Sequence, residues 1–419
     1  MPKLRFPGFE GEWGVALLSE IFEKNTQKNA DGKITNVICN SAKQGLIPQR
    51  EYFDKDIANG DNTNAYYIIK QNDFVYNPRK SSDAPYGPIS IYKYADAGIV
   101  SPLYLCFSAK HRINSRYFEW YFRSPVWHRY IYISGDSGAR HDRVSIKDST
   151  FFAMPICIPS GHEQMQIASF LSKLDERIEK QRLLVENIKK YKRGLLSTMF
   201  PEKGEAMPKY RFSGFAEPWE QRKLGDTLCS LQNNTLSRAE LTYEKGAIKN
   251  VHYGDILVKY GEVLDVKNEQ IPNIIDTTVA EKYKASFLQN GDVIFADTAE
   301  DDTVGKCSEI AGMTDETVLS GLHTMPYRPR LKFATGYLGY YLNASAFHQQ
   351  LIPLMQGIKV TSISKSAMQN TDIVYPKSFE EQEKIGAYFM HLDHLITLYQ
   401  RKLDISIKIK SGLLQQLFI

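Results

Sequence analysis

Three stretches of this chain put cations, amides and hydroxyls where loops would present them. Asn77-Pro78-Arg79-Lys80-Ser81-Ser82 follows the strand-like run 73–76. Residues 138–147 read Gly-Ala-Arg-His-Asp-Arg-Val-Ser-Ile-Lys, and residues 357–365 read Gly-Ile-Lys-Val-Thr-Ser-Ile-Ser-Lys. A guanidinium can fork onto guanine O6 and N7, whereas Lys, Ser and Thr hold phosphates or read bases less strictly. The candidate DNA contacts are therefore Arg79, Lys80, Arg140, His141, Arg143 and Lys147 in the first half, and Lys359, Thr361 and Lys365 in the second. In the second half the stretch equivalent to 73–80 runs into the acidic residues 297–302. Such a cluster cannot face phosphate without a metal or a cytosine amino group as partner, so it is expected to face solvent.

Catalytic chemistry is missing. Methyl transfer to DNA would need an Asp/Asn-Pro-Pro-aromatic loop and a Gly-rich turn for the methyl donor; Asn77-Pro78-Arg79-Lys80 is not the first, and no G-x-G-x-x-G supplies the second. Gly32-Lys33 and Gly305-Lys306 lack the remainder of a Walker A loop. Asp31-Gly32-Lys33 and Asp265-Val266-Lys267 lack the upstream Pro-Asp of a metal-dependent nuclease and read as turns. The five cysteines are scattered, with no C-x-x-C and no paired histidines, which argues against a disulfide frame and a zinc site. No catalytic residue, metal or cofactor is assigned to the chain, which reads as a binding module.

Charge is unevenly spread. Residues 1–160 carry 20 Lys and Arg against 16 Asp and Glu, whereas residues 201–378 carry 19 against 22. Residues 110–147 hold eight basic and three acidic side chains with His111, His128 and His141 interleaved, the footprint of a phosphate-binding face or of a merely solvated basic surface. No run approaches the 18 apolar residues of a membrane span, and the N-terminus lacks the apolar core of a signal peptide, so a cytoplasmic protein is expected.

The elements that must position these loops are written twice. Met1-Pro2-Lys3-Leu4-Arg5-Phe6-Pro7-Gly8-Phe9 with Trp13 returns as Met207-Pro208-Lys209-Tyr210-Arg211-Phe212-Ser213-Gly214-Phe215 with Trp219. Residues 163–200 align without a gap on 381–418 with 12 identities in 38 positions, a duplication. In the first copy Ile167, Leu171, Leu174, Ile178, Gln181, Val185, Ile188, Lys192, Leu195 and Met199 alternate steps of four and three. Ile385, Phe389, Leu392, Ile396, Tyr399, Leu403, Ser406, Lys410, Leu413 and Leu417 keep the same register, which predicts two long helices with coiled-coil seams. Two copies related by a pseudo-twofold axis would pack antiparallel. Lys192 and Lys410 read as pairing specifiers or as points where the seam frays. Ser160…Glu163 and Ser378…Glu381 have capping-box spacing, with Ser bonding the first turn and Glu reaching back to the cap.

Between these ends, short β-branched and aromatic runs such as 66–69, 74–76, 89–92 and 103–107 alternate with turn signals and predict mostly antiparallel sheets. Helical aromatics at 117–128 and 337–348 are expected to be core, with His128 and His348 structural. The reading is α/β (α+β), with globular bodies at 1–159 and 219–377, spacer helices at 160–200 and 378–419, and a linker at 201–218 that begins the second repeat.

This doubled pattern resembles the specificity subunit of type I restriction-modification systems. The resemblance rests on the Arg-Phe-x-Gly-Phe…Trp openings, on Pro159…Glu163-Gln164…Ile167 and Pro376…Glu381-Gln382…Ile385, and on the Gly-Leu-Leu…Phe closings. It implies two pseudo-symmetric target-recognition domains, each reading one half of an asymmetric bipartite site in double-stranded DNA, joined by two long antiparallel coiled-coil helices that set the gap. It also implies two methylation subunits and two restriction motor-nuclease subunits as partners. S-adenosylmethionine, ATP and Mg are expected in those partners, together with the adenine methyltransferase and endonuclease activities. A coiled-coil scaffold bridging other proteins, or a specificity module of another restriction-like defence system, is the competing reading; a scaffold would show no salt-dependent DNA affinity.

Overall fold

The computed structural model describes residues 2–52, 63–137 and 142–418. Its contacts divide the chain into two units, Met1–Gln181 with Lys402–Ile419, and Arg182–Arg401.

In the first unit, strands Phe22–Lys24, Leu105–Ala109, Phe74–Tyr76 and Ile89–Ile91 lie side by side in that order, every pair antiparallel. The second unit repeats the order as Leu228–Ser230, Thr324–Pro329, Val293–Ala296 and Cys307–Ala311, and adds Val263–Asp265 in parallel at the edge. The tight turn before the second strand type is also shared: Asn72 has φ 72° where the later repeat uses Gly291 at φ 90°. Asparagine tolerates this left-handed conformation better than most side chains.

Burial of aromatics holds each sheet to its helices. Phe22 meets Phe74, Phe107 and Phe118 edge-on at centroid distances of 5.4, 5.3 and 5.2 Å, an arrangement that matches positive ring edges to negative faces. Helix Ser115–Arg123 buries Tyr117, Phe118, Trp120, Tyr121 and Phe122, and helix Tyr337–Asn343 buries Tyr337, Leu338, Tyr340, Tyr341 and Leu342. The aromatics are core, as their spacing predicts. In the second unit a strand carboxylate meets the helix start: Glu309 accepts hydrogen bonds from the Gly336 and Gly339 amides at 2.7 and 2.8 Å. Burial pushes its pKa up to about 7 despite those amides.

Each unit closes on an antiparallel pair, Gly14–Leu17 with Pro155–Ile158 in the first and Glu220–Lys223 with Asp372–Tyr375 in the second. The chain then enters the long helices, Gly161–Thr198 and Phe379–Gln416. Ser160 and Ser378 accept from the Glu163 and Glu381 amides at 3.3 Å, the serine half of the expected caps. The glutamates depart from that expectation. Arg5 grips both oxygens of Glu163 at 2.8 and 2.9 Å, and Arg211 grips both of Glu381 at 2.6 and 2.8 Å. Each carboxylate is 1% exposed, and a bidentate guanidinium satisfies a buried carboxylate better than one capping amide. Gln164 and Gln382 donate to the carbonyls of Pro159 and Pro376 at 3.0 and 2.8 Å, tying the incoming strand to the first turn.

Along the helices Ile167, Leu171, Ile178, Val185, Lys192, Met199, Ile385, Phe389, Leu392, Leu403 and Leu417 are buried. Leu174, Ile188, Ile396, Lys410 and Leu413 are half-buried. In the first unit Phe418 meets Tyr117 and Tyr121 at 5.7 and 5.9 Å, and Lys410 pairs with Asp175. In the second, Phe200 stacks on Phe389 at 6.0 Å, and Lys192 bonds Asp393 and Glu262 at 2.7 and 2.8 Å. In the second unit, rising numbers on one helix, 192 to 200, meet falling numbers on the other, 393 to 389, so the pairing is antiparallel. The seam lysines are satisfied by carboxylates instead of fraying.

Two outcomes follow from this packing. Phe418→Ala should cost about 3–5 kcal/mol, and hydrogen exchange should show protection lost in residues 117–171 while residues 219–377 keep theirs. Glu309 has a raised folded pKa, so its contribution to stability is complete below its ordinary value of 4.5 and is lost as pH rises through about 7. Denaturant midpoints of the wild type should therefore decline across that window, and Glu309→Gln should flatten the decline.

Candidate nucleic-acid interface

Strand Phe74–Tyr76 hands the chain to Asn77 and Pro78, and the following residues meet the loop that lies about 65 positions later. Arg79 and Arg143 face each other across an antiparallel bridge. The Val144 amide donates to the Pro78 carbonyl at 2.9 Å, and the Lys80 amide to the Asp142 carbonyl at 2.8 Å. Two stretches singled out separately in the sequence thus form one ladder. Asn77 braces it: its Oδ1 accepts from the Arg79 amide at 3.1 Å, and its Nδ2 donates to the Asn40 carbonyl at 3.2 Å. Gly87 must be glycine beside this brace, because it sits at φ 79° and a Cβ would lie 2.1 Å from the Asn77 carbonyl oxygen.

Asn40 belongs to the hairpin Ile38–Ser41 with Gly45–Pro48. Hairpin and ladder together wall a cleft of about 740 Å³, lined among others by Lys43, Gln44, Arg79, Lys80, Tyr104 and Arg143. Arg79 is exposed and has no ion pair among the described residues. Lys43 reaches Asp83 at 3.5 Å with its side chain 76% exposed, a pairing that solvent screens heavily. The Nε of Arg143 is buried without a hydrogen-bond partner among the described residues, as is Oδ1 of its neighbour Asp142. Arg143 Nε also lies 3.9 Å from Asp142 Oδ2, so the exposed Arg79 is the less encumbered donor of this concave, cation-lined surface, whose chemistry suits base edges and phosphates.

Lys147 lies apart from the cleft; it is exposed, directly before the short helix Asp148–Phe152. Arg140 and His141 lie outside the described residues. Lys43 and Gln44 were missed in the sequence. The signal was the run Ser41-Ala42-Lys43-Gln44-Gly45 between two apolar segments, a hairpin turn whose Gly45 takes φ 74°.

The second unit places its residues differently. Gln356 and Ser362 exchange amide-to-carbonyl bonds of 3.0 and 2.8 Å, making a hairpin with Ile358 fully exposed and Lys359 beside it at the tip. Thr361 pairs with Ala299 in the strand Thr361–Ser362. Lys365 donates to the Leu231 carbonyl at 3.2 Å. Within the acidic stretch Glu300, Asp301 and Asp302 are exposed, but Asp297 is drawn inward. His128 packs against Trp127 and Tyr86 at 4.6 and 5.0 Å, and burial pushes its pKa down; His348 contacts the Val304 carbonyl at 3.0 Å. Among the described residues no group of His, Cys, Asp or Glu is placed to hold a metal ion, and no helix is long and apolar enough to cross a membrane.

The same architecture is found in known proteins. The family model for the type I restriction modification DNA specificity domain matches twice, over residues 10–187 and 216–408. The chain belongs to this family. Both matches of the specificity domain contain one closing strand pair and the start of one long helix. A protein provisionally described as the type I restriction enzyme MjaX specificity subunit of Methanocaldococcus jannaschii is 25% identical over 225 residues, 52% of this chain and 49% of that protein. The chain thus spans about half the length of that relative.

Solved structures share the fold of this specificity-domain chain. A chain from a study of complex assembly and conformational transition in the type I R-M system covers 97% of each chain at TM-score 0.58 and 15% identity. The S subunit of a type I restriction-modification system from M. genitalium covers 100% of this chain and 99% of its own at TM-score 0.53 and 14% identity. The HsdS subunit from Thermoanaerobacter tengcongensis covers 99% and 98% at TM-score 0.51 and 17% identity.

Proposed function

We propose that this chain is the specificity subunit of a type I restriction-modification complex. It reads an asymmetric, bipartite site in double-stranded DNA, one half-site per unit, in the cytoplasm. The observation that carries the reading is the Arg79–Arg143 ladder on the rim of the cation-lined cleft. Two guanidinium groups on facing strands match the paired acceptors of guanine in the major groove, and Lys43 and Lys80 supply charge for phosphates. The second unit carries Thr298 and Ser362 at the matching ladder positions, so the two half-sites differ.

Catalysis belongs to the partners in this reading. Two methylation subunits bind S-adenosylmethionine and modify adenine, and two restriction subunits use ATP and Mg to translocate and cut. The specificity chain docks them and supplies the address. The long helices act as the ruler between half-sites; each has 38 residues, roughly 57 Å at about 1.5 Å per residue.

Co-expression with the methylation subunit, followed by genome-wide mapping of methylated adenine, tests the reading. A split motif of two unlike half-sites at a fixed gap is the expected result, and an assembled complex that modifies no motif overturns it. Arg143→Ala should relax one position of one half-site by about 1–3 kcal/mol of discrimination and leave the other half-site intact. Inserting one heptad after Val185 should change the preferred gap or abolish modification while both half-sites stay the same; an unchanged gap with altered half-sites would remove the ruler.

A further inference from the structure

The ladder that carries Arg79 and Arg143 recurs in the second unit with opposite chemistry. Strand Val293–Ala296 is the counterpart of Phe74–Tyr76, since the Ile310 amide reaches the Asp292 carbonyl at 2.8 Å as the Tyr92 amide reaches that of Asp73 at 2.8 Å. Beyond the strand, the Ile363 amide donates to the Asp297 carbonyl at 3.0 Å, as the Val144 amide does to Pro78. Asp297 therefore stands where Pro78 does, Thr298 where Arg79 does, and Ser362 where Arg143 does. Neither ladder position carries a guanidinium, and the residue that precedes the ladder, Asp297, is a carboxylate.

That carboxylate is held in place. The Asp297 amide donates to the His323 carbonyl at 3.1 Å, so its backbone is fixed on both sides. Its Oδ1 accepts from the Thr298 hydroxyl at 2.7 Å and lies 3.3 Å from Nδ1 of His323. His323 adopts φ 52°, a left-handed conformation that a non-glycine residue keeps only where its surroundings impose it, and Tyr253 packs edge-on to its ring at 5.3 Å. Oδ2 of Asp297 receives no hydrogen bond among the described residues, and the side chain is 25% exposed. The arrangement is a braced acceptor with one oxygen left over.

An ionised carboxylate only accepts hydrogen bonds. It repels phosphate, and it repels guanine O6 and N7 and thymine O4, which are acceptors too. Adenine N6 and cytosine N4 amino groups donate, but the adenine donor sits beside the N7 acceptor that a carboxylate repels, so cytosine N4 is the match for Asp or Glu. Resting on the reading of the chain as a two-domain DNA reader, we propose that Asp297, positioned by Thr298 and His323, reads the exocyclic amino group of a cytosine in the second half-site. The nearby Lys359 hairpin then serves phosphates, and the rim residue sets the base. The unlike half-sites then arise from one ladder that carries two donor forks in the first unit, and in the second two hydroxyls preceded by a lone acceptor, Asp297, at the Pro78 position.

The test maps methylated adenine for complexes containing wild-type chain, Asp297→Asn and Arg143→Ala. Wild type should require cytosine at one position of the half-site that Arg143→Ala leaves unchanged. Asp297→Asn should lower discrimination at that position by about five- to 150-fold and shift it toward adenine, with gap and first half-site preserved. A wild-type split motif that Asp297→Asn leaves unaltered overturns this proposal alone, whereas a wild-type complex with no split motif overturns the two-domain reading beneath it. Should Asp297→Asn modify nothing, hydrogen exchange across residues 293–329 decides: unchanged protection assigns the loss to the DNA contact, and lost protection gives Asp297 a folding role and overturns the proposal.

Discussion

Neither half of this sequence can complete its own hydrophobic core. The first unit is closed by Leu413, Leu414, Leu417 and Phe418, which end the second half, and the second by Leu195, Leu196, Met199 and Phe200, which end the first. One phenylalanine ring and its apolar neighbours on each side would otherwise face water, a loss of several kcal/mol in each unit on the scale of core truncations. The reciprocal donation explains why the duplicated sequence stays alike at its ends. Phe418 must fit Tyr117 and Tyr121, about 300 positions earlier, and Phe200 must fit Tyr337 and Phe389, more than 130 positions later, so folding depends on very distant contacts.

The openings of the repeats obey the same constraint from the other side. Arg5 and Arg211 each reach across more than 150 residues to neutralise a glutamate that is almost wholly buried at a helix start. A buried ion pair of this kind adds little net stability over apolar packing, but losing one partner is costly, so it specifies where the helix begins. The lysines further along repeat the device. Lys410 and Arg123 hold Asp175 below its ordinary value although burial opposes them, while burial and Glu262 lift Asp393 despite Lys192.

Local periodicity made the long helices and their seam legible: steps of four and three are a one-dimensional property of the chain. The strands were legible as short aromatic runs for the same reason, and the duplication disclosed the pairing of halves. Contacts between distant segments were not. The expected return of Glu163 to its own cap failed because the competing donor, Arg5, lies 158 residues away and offers two bonds. The cleft was half visible: Arg79 and Arg143 stood out as cations in loops, but their bridge, and the hairpin that brings Lys43 and Gln44 beside them, depend on sheet register. His323 gave no signal at all, since its left-handed backbone leaves no mark on composition or spacing.

The closing pair Gly14–Leu17 with Pro155–Ile158 brings the two ends of a recognition body to adjacent strands, as Glu220–Lys223 with Asp372–Tyr375 does for the other. Everything between those strands is one excursion that leaves and rejoins the chain at nearly the same point. Such a segment is a cassette in the sense of domain insertion: another body with the same two bordering strands could occupy its place without lengthening or turning the helix that follows. Genetic exchange at two short sequences would then replace one whole body in a single event, while the frame of arginine, glutamate and leucine seam stays in place.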